Sequence, residues 1–123
     1  MPTSLPFSHA AVIGTGLIGA SIIHAAKHRQ LPVSFTAYDN NPDVCEQAAN
    51  LLPHAKITSS LQQAVADADL VILAIPVGAM EQVMKEMAPY LQPGCVITDT
   101  GSTKRSVIRD VSPFVPETCH FIP

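Results

Sequence analysis

The sequence predicts an α/β fold, a doubly wound parallel sheet of about six strands with helices on both faces. Three observations carry that reading. Short β-rich apolar runs alternate with helix-patterned segments along the whole chain, which calls for parallel strands joined by crossovers. The run Leu70-Val71-Ile72-Leu73-Ala74-Ile75, opened by Asp69, is unbroken, as a central strand covered on both faces requires. A glycine-rich turn, Gly14-Thr15-Gly16-Leu17-Ile18-Gly19, joins the first apolar run directly to the first helical one.

The elements follow in order. Residues 1–8 carry two prolines and no periodicity, and read as a flexible tail. His9–Ile13 is a short buried strand. Leu17 to Lys27 is a helix with Ile18, Ile22 and Ala25/Ala26 on its inner face, and Lys27-His28-Arg29 suit its C-terminus. Pro32 separates it from a second strand, Val33–Asp39. Asn41 caps a helix opening at Pro42 and running to about Leu52, where Pro53 stops it. A short strand at Lys56–Thr58 precedes a brief helix, capped by Ser59 or Ser60 and ending at Val65. After the central strand, Pro76-Val77-Gly78 is a turn into a helix from about Ala79 to Leu91, whose last turn Pro89 kinks or tightens. Pro93-Gly94 leads to the strand Cys95–Asp99 and the small-residue loop Thr100-Gly101-Ser102. A helix from Thr103 to Val111 and a strand at Cys119–Ile122 complete the pattern. Residues 1–123 therefore read as one domain.

Composition narrows the function classes. Charged residues make up 14% of the chain, well under the roughly 25% of ordinary globular sequences. A sheet covered on both faces lowers that fraction, and so does surface meant for another domain. The net charge of −3, with no cluster of Lys and Arg, leaves no electrostatic footprint for nucleic acid. Cys45, Cys95 and Cys119 are odd in number and form no C-x-x-C, which points to a reducing, cytoplasmic setting without disulfide framework or zinc. His24 and His28 stand four apart on the first helix and read as an exposed stripe, so no metal site is assigned. The apolar stretch Ala10–Ala26 follows no positive charge, is interrupted by three glycines and is short for a membrane span of about 20 residues. No membrane contact is expected.

Strand, glycine turn and helix together are the setting in which G-x-G-x-x-G signifies a Rossmann-type dinucleotide site. Gly14 permits the tight turn, Gly16 lets backbone approach a pyrophosphate, and Gly19 lets helix and strand pack closely. Amide groups of Gly16, Leu17 and Ile18, with Thr15 beside them, open a helix whose N-terminus favours phosphate. A carboxylate expected about 20 residues on to bind ribose hydroxyls is present as Asp39, at the end of the second strand. The alternative for Asp39 is a turn residue ahead of Asn40-Asn41-Pro42. With no cation following it, Asp39 favours NAD over NADP. Like charges about 4 Å apart at an effective dielectric near 20 repel by about 4 kcal/mol before screening. A third of that is about tenfold in affinity.

The glycine turn through Ser21, the segment Ile72–Val77, and above all Thr98-Asp99-Thr100-Gly101-Ser102-Thr103-Lys104 resemble the prephenate and arogenate (cyclohexadienyl) dehydrogenases over nearly the whole chain. The resemblance implies an NAD-dependent oxidoreductase of aromatic amino acid biosynthesis. Such an enzyme oxidises the ring hydroxyl of prephenate and releases carbon dioxide to give 4-hydroxyphenylpyruvate, or makes tyrosine from arogenate. It implies that Ser102 contacts the substrate hydroxyl, while its simpler role is to cap the following helix. It also implies that Ile75, Pro76, Thr100 and Gly101 border the cofactor. In that family the catalytic histidine lies in a His-Pro motif beyond the strand that opens here at His120, and a following helical domain binds substrate and forms a homodimer. Neither lies within these residues, so His120 is a strand-end residue. The chain is expected to be the nucleotide-binding part, inactive alone and weak in its hold on NAD. The alternatives are a β-hydroxyacid or 6-phosphogluconate-type dehydrogenase domain, which the Asp99–Lys104 loop disfavours, and a stand-alone NAD-binding module.

Overall fold

The computed structural model describes residues 7–101 and 103–123. Its strands are β1 (His9–Ile13), β2 (Ser34–Tyr38), β3 (Lys56–Thr58), β4 (Leu70–Leu73), β5 (Val96–Asp99) and β6 (His120–Phe121). All pair in parallel, in the order β3-β2-β1-β4-β5-β6. The chain order therefore reverses between β1 and β4, and a crevice opens there beyond the C-terminal strand ends. Register puts Tyr38, Ile13, Leu73 and Asp99 in one row across the sheet. The residues after them, Asp39, Gly14, Ala74 and Thr100, form the next row and border that crevice.

Helices α1 (Leu17–His28) and α2 (Pro42–Leu51) lie on one face, while α3 (Leu61–Val65), α4 (Val77–Met87) and α5 (Lys104–Val111) lie on the other. The second face holds most of the core. Val71, Leu73 and Ile97 meet Met80, Met84 and Met87 of α4 and Val107 and Val111 of α5, all fully buried. Burying each such side chain contributes about 1.5–3 kcal/mol. The α1 face is leaner, with Val12, Ile23, Ala37 and Leu52 at its centre. There Leu70 and Ile72 remain half-buried, and with Ile22 and Phe35 they line an apolar groove of about 320 Å³. Burial, with Cys119 and Asp69 adding to it, pushes the Cys95 thiol up to about 12, so this cysteine is a packing residue. No described helix is long and apolar enough to cross a membrane.

Local signals explain most boundaries. The Asn41 side chain accepts from the Asp43 amide at 2.9 Å and Pro42 opens α2. Of the two serines considered for α3, Ser60 is the cap, accepting from the Gln63 amide at 3.2 Å. Pro89 tightens the end of α4 into a 3₁₀ turn, Ala88–Tyr90.

Four expectations need correction. The predicted turn Pro76-Val77-Gly78 does not exist as such. Pro76 is the extended N-cap and α4 begins at Val77, because proline's fixed φ feeds straight into a helix and Gly78 sits in the first turn. Of the expected face Ile18, Ile22 and Ala25/Ala26, only Ala26 is buried; Gly19 and Ile23 complete the inner face of α1 in place of Ile18 and Ile22. The close approach of Gly19 to β1 sets that rotation and turns Ile18 out toward the crevice. The central strand ends at Leu73, short of its apolar run: the Ala74 amide still donates to the Ile13 carbonyl at 2.8 Å, and Ala74 and Ile75 then line the crevice. Within the predicted tail, residues 1–6 lie outside the described residues, but Ser8 is tied down: its amide and hydroxyl both donate to Asp69, at 2.8 and 3.1 Å.

Candidate functional site

Gly14, the first residue beyond β1, has φ of +110°, a conformation that disfavours any side chain. A Cβ here would also collide with the Ala74 carbonyl and stand 2.9 Å from Ile75 Cγ2. Its amide donates to the Tyr38 carbonyl at 2.8 Å, closing the turn onto β2. A Cβ on Gly19 would strike the Gly14 carbonyl oxygen and come within 3.2 Å of Val12 Cγ1, so helix and strand touch backbone to backbone. Gly16 is the opposite case. It is exposed, and a Cβ there would meet nothing within 4 Å. What glycine leaves open at Gly16 is space for something else.

That space faces the start of α1. The helix has no side-chain cap and no acid in its first turn. Its intrahelical bonding begins with the Ala20 amide donating to the Gly16 carbonyl at 2.9 Å, so the amides before it have no intrahelical acceptor. Free amides and a positive helix end make a seat for an anion.

Two recesses flank this turn. The smaller, about 240 Å³, is lined by Gly14, Tyr38, Asp39, Asn40, Ile75, Pro76, Ala79 and Val83. The larger, about 500 Å³, is lined by Gly16, Leu17, Ile18, Ala74, Ile75, Pro76, Val77, Thr100 and Gly101. Ile75 and Pro76 are common to both and form the ridge between them. Leu17 (85% exposed) and Ile18 (55%) leave large apolar side chains in solvent at the mouth of the larger recess. Helix rotation alone does not explain two adjacent exposed apolar residues; an apolar wall for a ligand does.

Asp39 is held from two sides. The Asn41 amide donates to Oδ1 at 3.0 Å, and the Thr15 hydroxyl donates to Oδ2 at 3.2 Å. Each oxygen keeps accepting capacity for a further hydroxyl. Burial raises the Tyr38 phenol above its ordinary range, with Glu86, Asp39 and Cys45 adding to the shift, so it remains a neutral hydroxyl. Among the described residues, no lysine or arginine lines the Asp39 recess.

The sequence-predicted residues Gly14, Thr15, Gly16, Leu17, Ile18, Asp39, Ile75, Pro76, Thr100 and Gly101 thus gather around one crevice, while Gly19 is buried behind the turn against Gly14 and Val12; Ser102 lies outside the described residues. Sequence reasoning missed the role of Asp99. Its side chain is fully buried, with Oδ2 accepting from the Gly101 amide at 2.7 Å and from Lys104 Nζ at 2.8 Å. Asp followed two residues later by Gly is an Asx-turn signal that could have exposed it. Thr15 was placed at the cofactor but not as the orienter of Asp39, since that contact spans two strands.

Sheet order, glycine turn and crevice together define a Rossmann-type nucleotide-binding domain. The family model for the prephenate dehydrogenase nucleotide-binding domain matches residues 22–123, and the chain belongs to that family. It is 42% identical over 110 residues to the cyclohexadienyl dehydrogenase of Zymomonas mobilis, covering 89% of this chain and 38% of that protein. It is 32% identical over 102 residues to the prephenate dehydrogenase of Lactococcus lactis, covering 80% of this chain and 27% of that protein. The chain therefore spans well under half the length of these relatives. Among solved structures, prephenate dehydrogenase from Aquifex aeolicus in complex with hydroxyphenyl propionate and NAD+ superposes with a TM-score of 0.83. That match covers 95% of this chain and 41% of the other at 22% identity, and bears on the fold alone.

Proposed function

We propose that this chain binds NAD as the nucleotide-binding part of a dehydrogenase acting on prephenate or arogenate. The observation that carries the cofactor assignment is Asp39: a carboxylate oriented by Thr15 and Asn41, on a recess without cations, beside an uncapped helix start. The residues fit the group. Open space at Gly16 and crowding at Gly14 and Gly19 are what a backbone seat for a diphosphate needs.

In this reading the amides opening α1 donate to the diphosphate, and Asp39 accepts from the adenosine-side ribose hydroxyls. Leu17, Ile18, Ile75 and Pro76 offer an apolar wall that excludes water, with Thr100 and Gly101 lining the same recess. NAD held there supplies a hydride acceptor. Ser102 contacts the substrate hydroxyl, by family resemblance. The reaction is oxidation of the ring hydroxyl with loss of carbon dioxide, proposed for the whole enzyme. It is supported by family membership and by the names of the relatives in Z. mobilis and L. lactis.

Calorimetric titration tests the cofactor choice. NAD should bind at least about tenfold tighter than NADP, because a 2′-phosphate brings negative charge against Asp39. Equal affinities would overturn the role given to Asp39.

A further inference from the structure

We propose that the buried Asp99 carboxylate, with Lys104, forms a clamp that positions the loop after β5, and through it the nicotinamide-side half of the cofactor but not the adenosine-side half. This rests on the NAD-binding reading above.

The Asp99 side chain is 0% exposed, and a carboxylate so buried must be paired and hydrogen-bonded to be tolerated. Its compensation among the described residues all passes through one oxygen. Oδ2 takes the Gly101 amide at 2.7 Å and Lys104 Nζ at 2.8 Å, while Oδ1 is buried with no partner among the described residues. A single atom therefore ties the loop at residue 101 to the first residue of α5. The loop cannot drift outward at residue 101 without taking the Gly101 amide from a buried carboxylate oxygen.

It cannot move inward either. A Cβ on Gly101 would stand 2.8 Å from Val107 Cγ2, 3.0 Å from Asp99 Oδ2 and 3.3 Å from Val77 Cγ2, so this backbone is wedged between the starts of α4 and α5. From the other side, Thr100 is fastened to β4: its amide and hydroxyl both donate to the Leu73 carbonyl, at 3.1 and 3.4 Å. The two residues so held, Thr100 and Gly101, line the larger recess together with Leu17 and Ile18. The Asp39 recess contains neither of them. A clamp that acts by positioning should therefore affect one half of the dinucleotide site and spare the other.

Lys104, with 48% of its side chain exposed, is the part of the clamp that can be altered with least risk to folding. Asp99→Asn, Lys104→Met and Lys104→Arg are compared with the unmodified chain, with circular dichroism confirming that each is folded. Two probes read the two halves. ADP-ribose, which lacks nicotinamide, is titrated by calorimetry. NADH at saturation is followed by the fluorescence of its dihydronicotinamide ring, which responds to the order and polarity of the ring's surroundings.

The expected result is that Asp99→Asn and Lys104→Met lose about half or more of the NADH fluorescence change, while ADP-ribose affinity stays within about twofold. Lys104→Arg keeps both. If Asp99→Asn does not fold, Lys104→Met alone carries the test. Fluorescence unchanged in the variants, or ADP-ribose affinity falling in step with it, overturns the clamp; the second outcome marks Asp99 as a general core residue. An unmodified chain that binds ADP-ribose but leaves NADH fluorescence unchanged also overturns it. Failure of the unmodified chain to bind either nucleotide refutes the NAD reading itself, and this inference with it.

Discussion

The two ends of the parallel sheet are built from the same strands, yet they differ in what they leave unsatisfied. At the N-terminal end those groups satisfy one another. Asp69 accepts from the Ser8 amide and hydroxyl and from the His9 amide, and the His9 ring meets Ser34 Oγ at 2.6 Å and Thr36 Oγ1 at 2.8 Å. At the C-terminal end α1 and α4 begin with no side-chain cap, and Gly16 faces open space. Donors left idle weaken a fold but are already aimed at a ligand. The first end secures the sheet and the second is available for binding.

The largest expected effect comes from the tight turn at the crevice end. Gly14→Ala combines a strained φ with a Cβ driven into the Ala74 carbonyl, and should lower stability by about 3 kcal/mol or more. Unfolding in denaturant measures this; a variant as stable as the original would mean that the turn is not constrained.

Gly16→Ala separates binding from stability within the same motif. Its Cβ meets no protein atom, so the unfolding midpoint should hardly move, while NAD affinity falls about tenfold because the methyl occupies the diphosphate seat. Unaltered NAD affinity would place the diphosphate elsewhere.

Asp69→Asn is the reciprocal case at the other end. An amide placed against three donors should cost about 1–2 kcal/mol of stability and leave NAD affinity unchanged. A matching loss of affinity would erase the distinction between the two ends.

The smallest effect is on pH dependence. His9 is held below its ordinary 6.5, first by burial and then by Lys56, so the folded state resists its protonation. That contribution is present above about pH 6.5 and is lost as pH falls through the lowered value. Burial pulls Asp69 upward, but the bonds from Ser8 and His9 outweigh it and hold the carboxyl below its ordinary 3.8. Its contribution is likewise lost on acidification, below about pH 4. Thermal midpoints should therefore fall in two steps as pH is lowered, and Asp69→Asn should shrink the second, leaving the part due to Asp110, whose carboxyl Arg109 also holds below its ordinary 3.8. A midpoint that rises between pH 7 and 5 would reverse the sign given to His9.

Much of this architecture was written in local pattern. The glycine spacing, the unbroken run at β4, the Asn41-Pro42 helix start and the carboxylate ending β2 all act within a few residues, where steric and hydrogen-bonding rules leave few options. The start of α4 was harder to read, since Pro76 and Gly78 resemble a turn until the sheet presents Ile75 at its edge. The inner face of α1 went the same way: Ile22 and Ile23 are equally apolar, and only contact between Gly14 and Gly19 selects Ile23.

By itself, then, the amino-acid order determined which segments alternate, where glycine is indispensable, and that an acid closes the second strand. Tertiary structure alone decided that Thr15 would reach across to orient Asp39, that two recesses would share the Ile75–Pro76 ridge, and that Asp99 would lose all contact with water and lean on Lys104. The reason is range. Turns and caps are set by neighbours along the chain, whereas the environment of a carboxylate is set by which strands and helices the sheet order brings beside it.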